Sequence, residues 1–196
     1  MHPGHVVPFS FDLSSLVQRS VASLYSHLVT RPTGRALRLG IESQIGEIGS
    51  VCLSVLDFTQ VVVLDYSCAD EAVAKLIQRY QPEDRPADAY FVARGLGEQH
   101  RDPIDEVLIR HDLALVAEVE GEFTLLGRSN ELEQDAWHAL QRVRLGRPQD
   151  IAQDLATAEA RICAALQRLA ERRVVLRRPG TDSFFALTTL LPATER

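Results

Sequence analysis

No stretch of the sequence approaches the roughly 20 consecutive apolar residues that a membrane-spanning helix needs. The segment from Met1 to Phe11 lacks both a basic start and a long apolar stretch, so it does not resemble a secretory signal peptide. These two absences predict a cytoplasmic protein that does not bind membranes. The composition, with 45% apolar and 24% charged residues, is typical of globular domains and excludes a disordered chain. The length of 196 residues allows one large domain or two small ones.

Cysteine and histidine are too scattered to form a recognisable metal or disulfide pattern. Cys52, Cys68 and Cys163 lie far apart and form no CxxC pair. We expect them to be buried thiols that pack as small apolar groups. The six histidines follow no metal-binding spacing: His2, His5, His27, His100, His111 and His138. The sequence therefore predicts neither a metal nor another cofactor.

The sequence also lacks a pattern that would indicate catalysis. The segment RGLG at positions 94–97 is too short for a phosphate loop or a dinucleotide fingerprint. Asp57, Asp65, Asp70 and Glu71 cluster along the chain, but no histidine is near them in sequence to complete a catalytic group. We expect Asp57 and Asp65 to end strands. We expect Asp70 and Glu71 to lie in the first turn of a helix, where negative charge is stabilising. We therefore predict that the protein is not an enzyme.

The net charge of −6 is unevenly distributed along the chain. Residues 131–196 contain 10 basic and 9 acidic side chains, which gives a net charge of +1 and leaves −7 for residues 1–130. Non-specific affinity for DNA comes from neutralising phosphates. We expect the last third to be more compatible with a polyanion than the rest, but only as a weak non-specific binder.

Residues 1–128 alternate between helical and strand patterns, which predicts an α/β domain. Apolar residues at helical spacing predict helices over Asp12–Leu28, Thr33–Ile45, Ser67–Arg79 and Asp102–His111. Short apolar runs predict strands over Val51–Leu56, Val61–Leu64, Ala89–Ala93, Leu113–Val119 and Glu122–Leu126. We expect Asp12 to cap the first helix and Thr30-Arg31-Pro32 to end it, because proline disfavours helix in the residue before it. The valine-rich run at 61–64 indicates a strand covered on both faces.

The segment LDFTQVVVLDYSCADE, at positions 56–71, resembles the signature of STAS domains, the anti-sigma-factor antagonist fold. It follows the family's order of strand, turn, valine, strand, aspartate and a small-residue turn into a helix. The resemblance extends more loosely from Leu28 to Leu126. It implies a STAS-like sheet with helices and a signalling role.

The STAS resemblance also implies candidate site residues. A serine at the position of Ser67 is phosphorylated by a partner kinase in the regulatory family, and a phosphate at a helix N-terminus meets free N–H groups. Tyr66 and Cys68 replace the family's usual neighbours of that serine. We assign partner docking to Asp65, Asp70 and Glu71. The alternative is that Ser67 and Asp65 only cap the helix.

Residues 129–196 show a different pattern of three helices followed by two strands. The predicted helices are Glu131–Val143, Pro148–Leu155 and a longer helix capped by Thr157 that runs to about Arg173. The predicted strands are Val174–Arg177 and Phe184–Leu187, with a frayed tail from Leu190. This order predicts a C-terminal winged helix-turn-helix domain. The residues at 148–161 and 164–175 resemble the turn, recognition helix and first wing strand of MarR-like bacterial regulators.

The winged-helix resemblance implies a set of DNA-binding residues. The helix start at Ala158 would enter the major groove of double-stranded DNA, with Arg161 reading guanine. Gln153 and Thr157 would contact phosphate, and Arg177 and Arg178 would reach the backbone or the minor groove from the wing. Winged helices also serve as interaction and dimerisation modules, and Glu159 would repel phosphate.

These patterns support two hypotheses of different classes. The first is a homodimeric transcription regulator in which the STAS-like domain controls a DNA-binding winged helix. The second is a protein-interaction adaptor that antagonises a kinase-like or anti-sigma partner and never contacts DNA. A continuous positive strip around Arg161, Arg177 and Arg178 would favour the first. A third reading is a small-ligand sensor with a pocket between sheet and helices.

Overall fold

The computed structural model describes residues 17–49 and 51–192. The elements of its first part are β1 (Gln18–Ser23), β2 (His27–Leu28), α1 (Arg31–Ile48), β3 (Cys52–Asp57), β4 (Val63–Leu64), α2 (Tyr66–Ala69), a π-helical turn (Asp70–Ala74), α3 (Lys75–Tyr80), β5 (Ala89–Leu96), α4 (Glu98–Arg110), β6 (Ala114–Val119) and β7 (Glu122–Gly127). The elements that follow are α5 (Glu131–Val143), β8 (Leu145–Gly146), α6 (Pro148–Asp154), α7 (Glu159–Glu171), β9 (Val175–Arg177), β10 (Phe184–Ala186) and a 3₁₀ turn (Leu187–Leu190). The fold is mixed α/β.

The central sheet has five strands in the order β1-β3-β5-β6-β7. The first four are parallel, and β7 returns antiparallel to β6 as the predicted hairpin. Parallel strands joined in sequence order by right-handed crossovers place the connecting helices on one face of the sheet. That face is covered by α1, α3 and α4.

Both faces of the sheet are buried, as β3 illustrates. Cys52 and Leu56 pack in one core cluster with residues of the connecting helices, such as Ile45. Leu53 and Val55 pack in a second cluster with residues of α5 and α7. The near-continuous burial of β3 follows from this arrangement, because a parallel strand between two helix layers has no solvent face.

The C-terminal elements form the second helix layer. Trp137 of α5 and Leu166 of α7 are fully buried against the sheet. The strands after and between these helices make a small antiparallel sheet in the order β8-β10-β9. Residue 128, the predicted domain boundary, lies between β7 and α5, and residues from both sides of it share the second core cluster.

The prediction of a helix over Asp12–Leu28 is wrong where the structure describes it. Residues Gln18–Ser23 form β1, which pairs in parallel with the whole of β3. The hydrogen bonds of this long-range pairing outweigh the local helical spacing of apolar residues. Asp12 lies outside the described residues. Pro32 lies in the first turn of α1, where its missing N–H costs nothing. Thr30-Arg31-Pro32 therefore lies at the start of a helix, and the prediction that it ends one is wrong.

The prediction that the valine-rich run at 61–64 forms a strand covered on both faces is also wrong. Only Val63 and Leu64 form a strand, and they pair with His27 and Leu28 in a two-stranded ribbon outside the central sheet. Val62 and Val63 are exposed. The run is therefore not covered on both faces.

Most of the remaining elements lie where the sequence predicts them. The chief differences are at ends: α4 begins at Glu98 and contains Pro103 in its interior, and the tail includes the 3₁₀ turn and a buried Leu191. Thr157 does not cap α7, because its hydroxyl donates to the carbonyl of Leu155 and the cap position is Ala158. Within residues 17–49 and 51–192, no helix has the length and apolar character needed to cross a membrane.

Two glycines of α1 provide a matched test of this packing. A Cβ atom on Gly34 would lie 2.8 Å from the carbonyl oxygen of Cys68, whereas one on Gly40 would meet nothing within 4 Å. We expect Gly34→Ala to lower the free energy of unfolding by about 1–3 kcal/mol through overpacking. Gly40→Ala should raise it by up to ~1 kcal/mol, because alanine is the better helix former. Denaturant unfolding measures both, and equal effects of the two substitutions would contradict the close approach of α1 to α2.

Candidate functional site

The turn into α2 is organised by the carboxylate of Asp65. Its Oδ1 accepts hydrogen bonds from the Cys68 N–H at 2.7 Å and the Ser67 hydroxyl at 2.9 Å, and its Oδ2 accepts one from the Thr30 N–H at 3.1 Å. Burial alone would raise the pKa of Asp65, but these hydrogen bonds outweigh it and lower that pKa below the ordinary value. Asp65 therefore caps the helix and also ties it to the chain before α1. Ser67 is half-buried and held in this turn.

Thr30 contributes a strained backbone to the same turn. Its φ is 77°, which is rare for a β-branched residue. The conformation is held from two directions, since the Asp65 N–H donates to the Leu28 carbonyl at 3.0 Å while the Thr30 N–H donates to Asp65. Such outliers persist where the surroundings over-determine them, and they concentrate at functional sites.

Asp70 and Glu71 face cations of their own chain. They are only 8% and 5% exposed. The guanidinium of Arg31 lies 2.8 Å from Asp70 and 3.0 Å from Glu71, and His111 Nε2 lies 2.7 Å from Asp70 Oδ1. Lys75 makes a short contact with Glu71. Direct docking by these two carboxylates stays a prediction. Asp65 and Arg31 are more accessible to a partner at this turn than Asp70 and Glu71 are.

The pairing determines the charge of both buried carboxyl groups. The hydrogen bond from Lys75 is the largest influence on Glu71 and lowers its pKa, with Arg31 adding to the effect against burial. Burial would raise the pKa of Asp70, but the hydrogen bonds from His111 and Arg31 outweigh it and lower that pKa. Both side chains are thus held ionised. They lie at the start of the π-helical turn, and π-helical turns are often found at functional sites.

Exposed apolar side chains lie in the chain segments next to the capped turn. The backbone N–H groups of Val62 and Val63 both donate to the Ser26 carbonyl, so the segments before β2 and β4 lie side by side. Large apolar residues of these segments and of the first turn of α2 are exposed to solvent. We call this set the ribbon patch: Tyr25, Val29, Val62, Val63 and Tyr66.

The predicted DNA-binding residues lie on the C-terminal elements, away from this turn in the chain. Gln153, Arg161 and Arg177 are exposed, whereas Thr157 and Arg178 are half-buried. Arg161 lies in the first turn of α7, and Arg177 ends β9.

The basic residues near α6 and α7 are interspersed with carboxylates. Arg147 pairs with Asp150 at 3.1 Å, and Arg142 pairs with Asp154. The hydrogen bond with Asp150 raises the pKa of Arg147, and the charges of Asp182 and Glu159 add to it. Arg142 and Arg147 are thus each paired with a carboxylate. A positive strip around Arg161, Arg177 and Arg178 stays a prediction.

Sequence reasoning missed the side chains that pair with Asp70 and Glu71. The Glu71–Lys75 pair has helical i,i+4 spacing and could have been found from the sequence. Arg31 and His111 are 39 and 41 residues from Asp70, and no local pattern indicates contacts at that separation.

The thiols and histidines of the described segments show no sign of metal chemistry. Cys52 and Cys68 are buried and Cys163 is partly buried. Burial raises the pKa of Cys52 and of Cys68 to about 11, so these thiols stay protonated. No group of histidine, cysteine and acidic side chains in the described residues is arranged to hold a metal ion.

Comparison with known proteins assigns no family, because no family model matches the chain and no curated protein matches it.

The buried carboxylates should make the fold sensitive to acid. A carboxyl group whose pKa is lowered by folding stabilises the protein above its ordinary pKa and loses that contribution as the pH falls through its folded value. We expect the free energy of unfolding to drop as the pH falls below the ordinary Glu value of 4.5. Glu71→Gln should cost about 1.5–3 kcal/mol at neutral pH and reduce the acid sensitivity. Glu83→Gln, in the exposed loop after α3, is the control. Parallel pH profiles of wild type and Glu71→Gln would rule this account out.

Proposed function

We propose that the protein is a non-catalytic signalling regulator that binds a protein partner through the ribbon patch and the Asp65–Ser67 turn. The observation that supports this most directly is the cluster of exposed apolar side chains beside a rigid polar turn. The STAS resemblance of residues 56–71 supports the same function, since that family acts through partner docking.

The ribbon patch has the physical character of a binding surface. Contiguous apolar side chains on a protein surface often mark interaction sites, because their exposure to water is unfavourable. Here Val63 lies in the two-stranded ribbon, and the other four residues lie in the chain segments that flank it. The ribbon residues Leu28 and Leu64 are buried. The ribbon and the Asp65 turn are held by hydrogen bonds before any partner arrives, which reduces the entropy lost on binding.

Phosphorylation of Ser67 would act as a switch on this surface. A phosphoryl group adds nearly two negative charges at neutral pH. On Ser67 it would take the place of the hydroxyl hydrogen that is donated to Asp65, and it would place negative charge next to that carboxylate. The expected result is a rearranged turn and weaker docking.

We further propose that the C-terminal segment is a winged helix used for protein contacts. Its element order, α5-β8-α6-α7-β9-β10, and its strand order, β8-β10-β9, support the winged-helix interpretation. The interspersed charges of Arg147, Asp150, Glu159 and Asp182 fit a protein surface better than a DNA backbone, which needs a concentration of positive charge.

DNA binding remains the second candidate, supported by a separate observation. Arg161 and Arg177 are exposed, and neither has an ion-pair partner within the described segments. Their positions at the start of α7 and the end of β9 suit a helix in the major groove and a wing beside it.

Site-specific photo-crosslinking tests the docking proposal. A photoreactive amino acid at Val62 should yield an adduct with a distinct protein in the native host, because this side chain lies in the ribbon patch. The same amino acid at Ile109, an exposed apolar position on α4, is the matched control. Ser67→Asp should reduce the adduct and Ser67→Ala should retain it. Equal adducts from both positions, or adducts only between copies of this chain, would contradict a dedicated partner site.

Mass spectrometry of the protein from cells tests the switch separately. Phosphate on Ser67 is expected in a fraction of the molecules. An unmodified Ser67, together with an unchanged adduct in Ser67→Asp, would remove phosphorylation from the proposal without affecting docking.

A genomic binding selection at moderate salt distinguishes the two candidates. With purified protein we expect no enriched DNA sequence, and no difference between wild type and Arg161→Ala. Arg101→Ala, on α4, is the control for loss of one exposed arginine. Enrichment of a sequence that is lost in Arg161→Ala but kept in Arg101→Ala would establish DNA binding instead.

A further inference from the structure

We propose that a pocket beside α5 binds a small molecule that carries a carboxylate. The pocket has a volume of about 240 Å³ and is lined by Phe123, Trp137, His138, Gln141, Arg144 and Thr188. We call it the α5 pocket. It is separate from the ribbon patch, so the proposal does not rest on the proposed function.

Two hydrogen-bond donors at the α5 pocket have no partner among the residues that the structure describes. The indole Nε1 of Trp137 and the amide Nε2 of Gln141 are both buried and unbonded among the described residues. The Thr188 hydroxyl donates to Gln141 Oε1, which orients the amide and leaves its N–H₂ group free. Buried donors are normally satisfied, so unpaired donors on successive turns of one helix indicate a missing acceptor.

Arg144 adds a positive charge at the same pocket. It has no ion-pair partner in the part of the chain that the structure describes, and its backbone has a φ of 66°, which is unfavourable for a residue other than glycine. The backbone is held there by the Arg144 N–H donating to Leu140 and the Arg144 carbonyl accepting from Ala186. Strain maintained at a pocket wall is a reason to infer a function for the side chain.

The lining indicates the chemistry of the ligand. None of the six lining residues is acidic, and Arg144, Trp137 and Gln141 all present N–H donors. Guanidinium groups bind carboxylates through paired hydrogen bonds. The rings of Phe123 and Trp137 provide an apolar wall for the rest of the molecule. The pocket therefore fits an acceptor-rich anion with a small apolar body.

The neighbouring groove limits where the anion can bind. That groove shares Phe123 and His138 with the α5 pocket but is also lined by Glu98, Glu120, Glu122 and Arg101. Its three carboxylates outnumber its one arginine, so the charge of the groove disfavours an anion and favours the Arg144 end. Because the two orphan nitrogens are not exposed to water, side chains of the pocket wall must shift for a ligand to reach them.

The fluorescence of Trp137, the one tryptophan of the chain, reports binding directly. The probes are phenylacetate, benzoate and acetate, with sodium chloride at equal ionic strength and the neutral phenylacetamide as controls. We expect a saturable fluorescence change and a raised melting temperature with an aryl carboxylate. Phenylacetamide should bind about tenfold more weakly or worse, because it lacks the charge that pairs with Arg144.

Arg144→Gly separates ligand binding from folding. Glycine adopts positive φ without strain, so this variant should be at least as stable as wild type while its half-saturating ligand concentration rises about tenfold or more. Arg142→Gln, in the same last turn of α5 but outside the pocket lining, should bind like wild type. The proposal is overturned if no probe gives a saturable change, if Arg144→Gly binds like wild type, or if phenylacetamide binds as well as phenylacetate.

Discussion

The need to cover both faces of one parallel sheet governs this structure. Because its crossover helices all lie on one side, the opposite face presents apolar residues such as Leu53, Val92 and Val116 to whatever packs there. Helices α5 and α7 fill that role. Burial of this second face removes apolar surface from water at roughly 25 cal/mol per Å², which makes the C-terminal elements part of the core.

Polar contacts reinforce this attachment at two places. Glu133 of α5 is buried and pairs with Arg168 of α7 and with Arg172, the residue that follows α7, which ties the two helices together. Arg173 donates to the Ala89 carbonyl and stacks over the Tyr90 ring at 3.9 Å, so the end of the helix layer is tied to the start of β5. The contacts proposed for the winged helix are therefore made by elements that cannot swing freely away from the sheet.

Local patterns predicted those elements whose determinants lie close together in the chain. The bounds of α5 agree with the prediction, since its capping box joins Asn130 to Glu133 and its apolar residues keep helical spacing. The hairpin of β6 and β7 is likewise confirmed, because its turn residues are adjacent. The strand β1 was missed because its partner β3 lies more than 30 residues away and nothing local indicates that pairing.

The same distinction applies to the candidate site, where features set by neighbouring residues could be predicted and features set by distant residues could not. A capping role for Asp65 was expected from the sequence, and the hydrogen bond that it accepts from the Cys68 N–H confirms that role. Partner docking by Asp65 stays a prediction. The exposure of Val62 and Val63 was not predictable, since a valine run indicates burial until its sheet position is known. The α5 pocket depends on a backbone outlier at Arg144 and on contacts across separate elements, neither of which leaves a trace in composition or spacing.

The Arg173 anchor has a consequence for the order of events during synthesis. Its partners Asp88, Ala89 and Tyr90 leave the ribosome more than 80 residues earlier. Until Arg173 emerges, one side of the nascent sheet stays uncovered and its apolar residues remain in contact with water. Chains with many native contacts between distant segments fold slowly, and their intermediates expose apolar surface and are prone to aggregate. Nascent chains that stall before α7 therefore expose apolar residues that the complete chain buries.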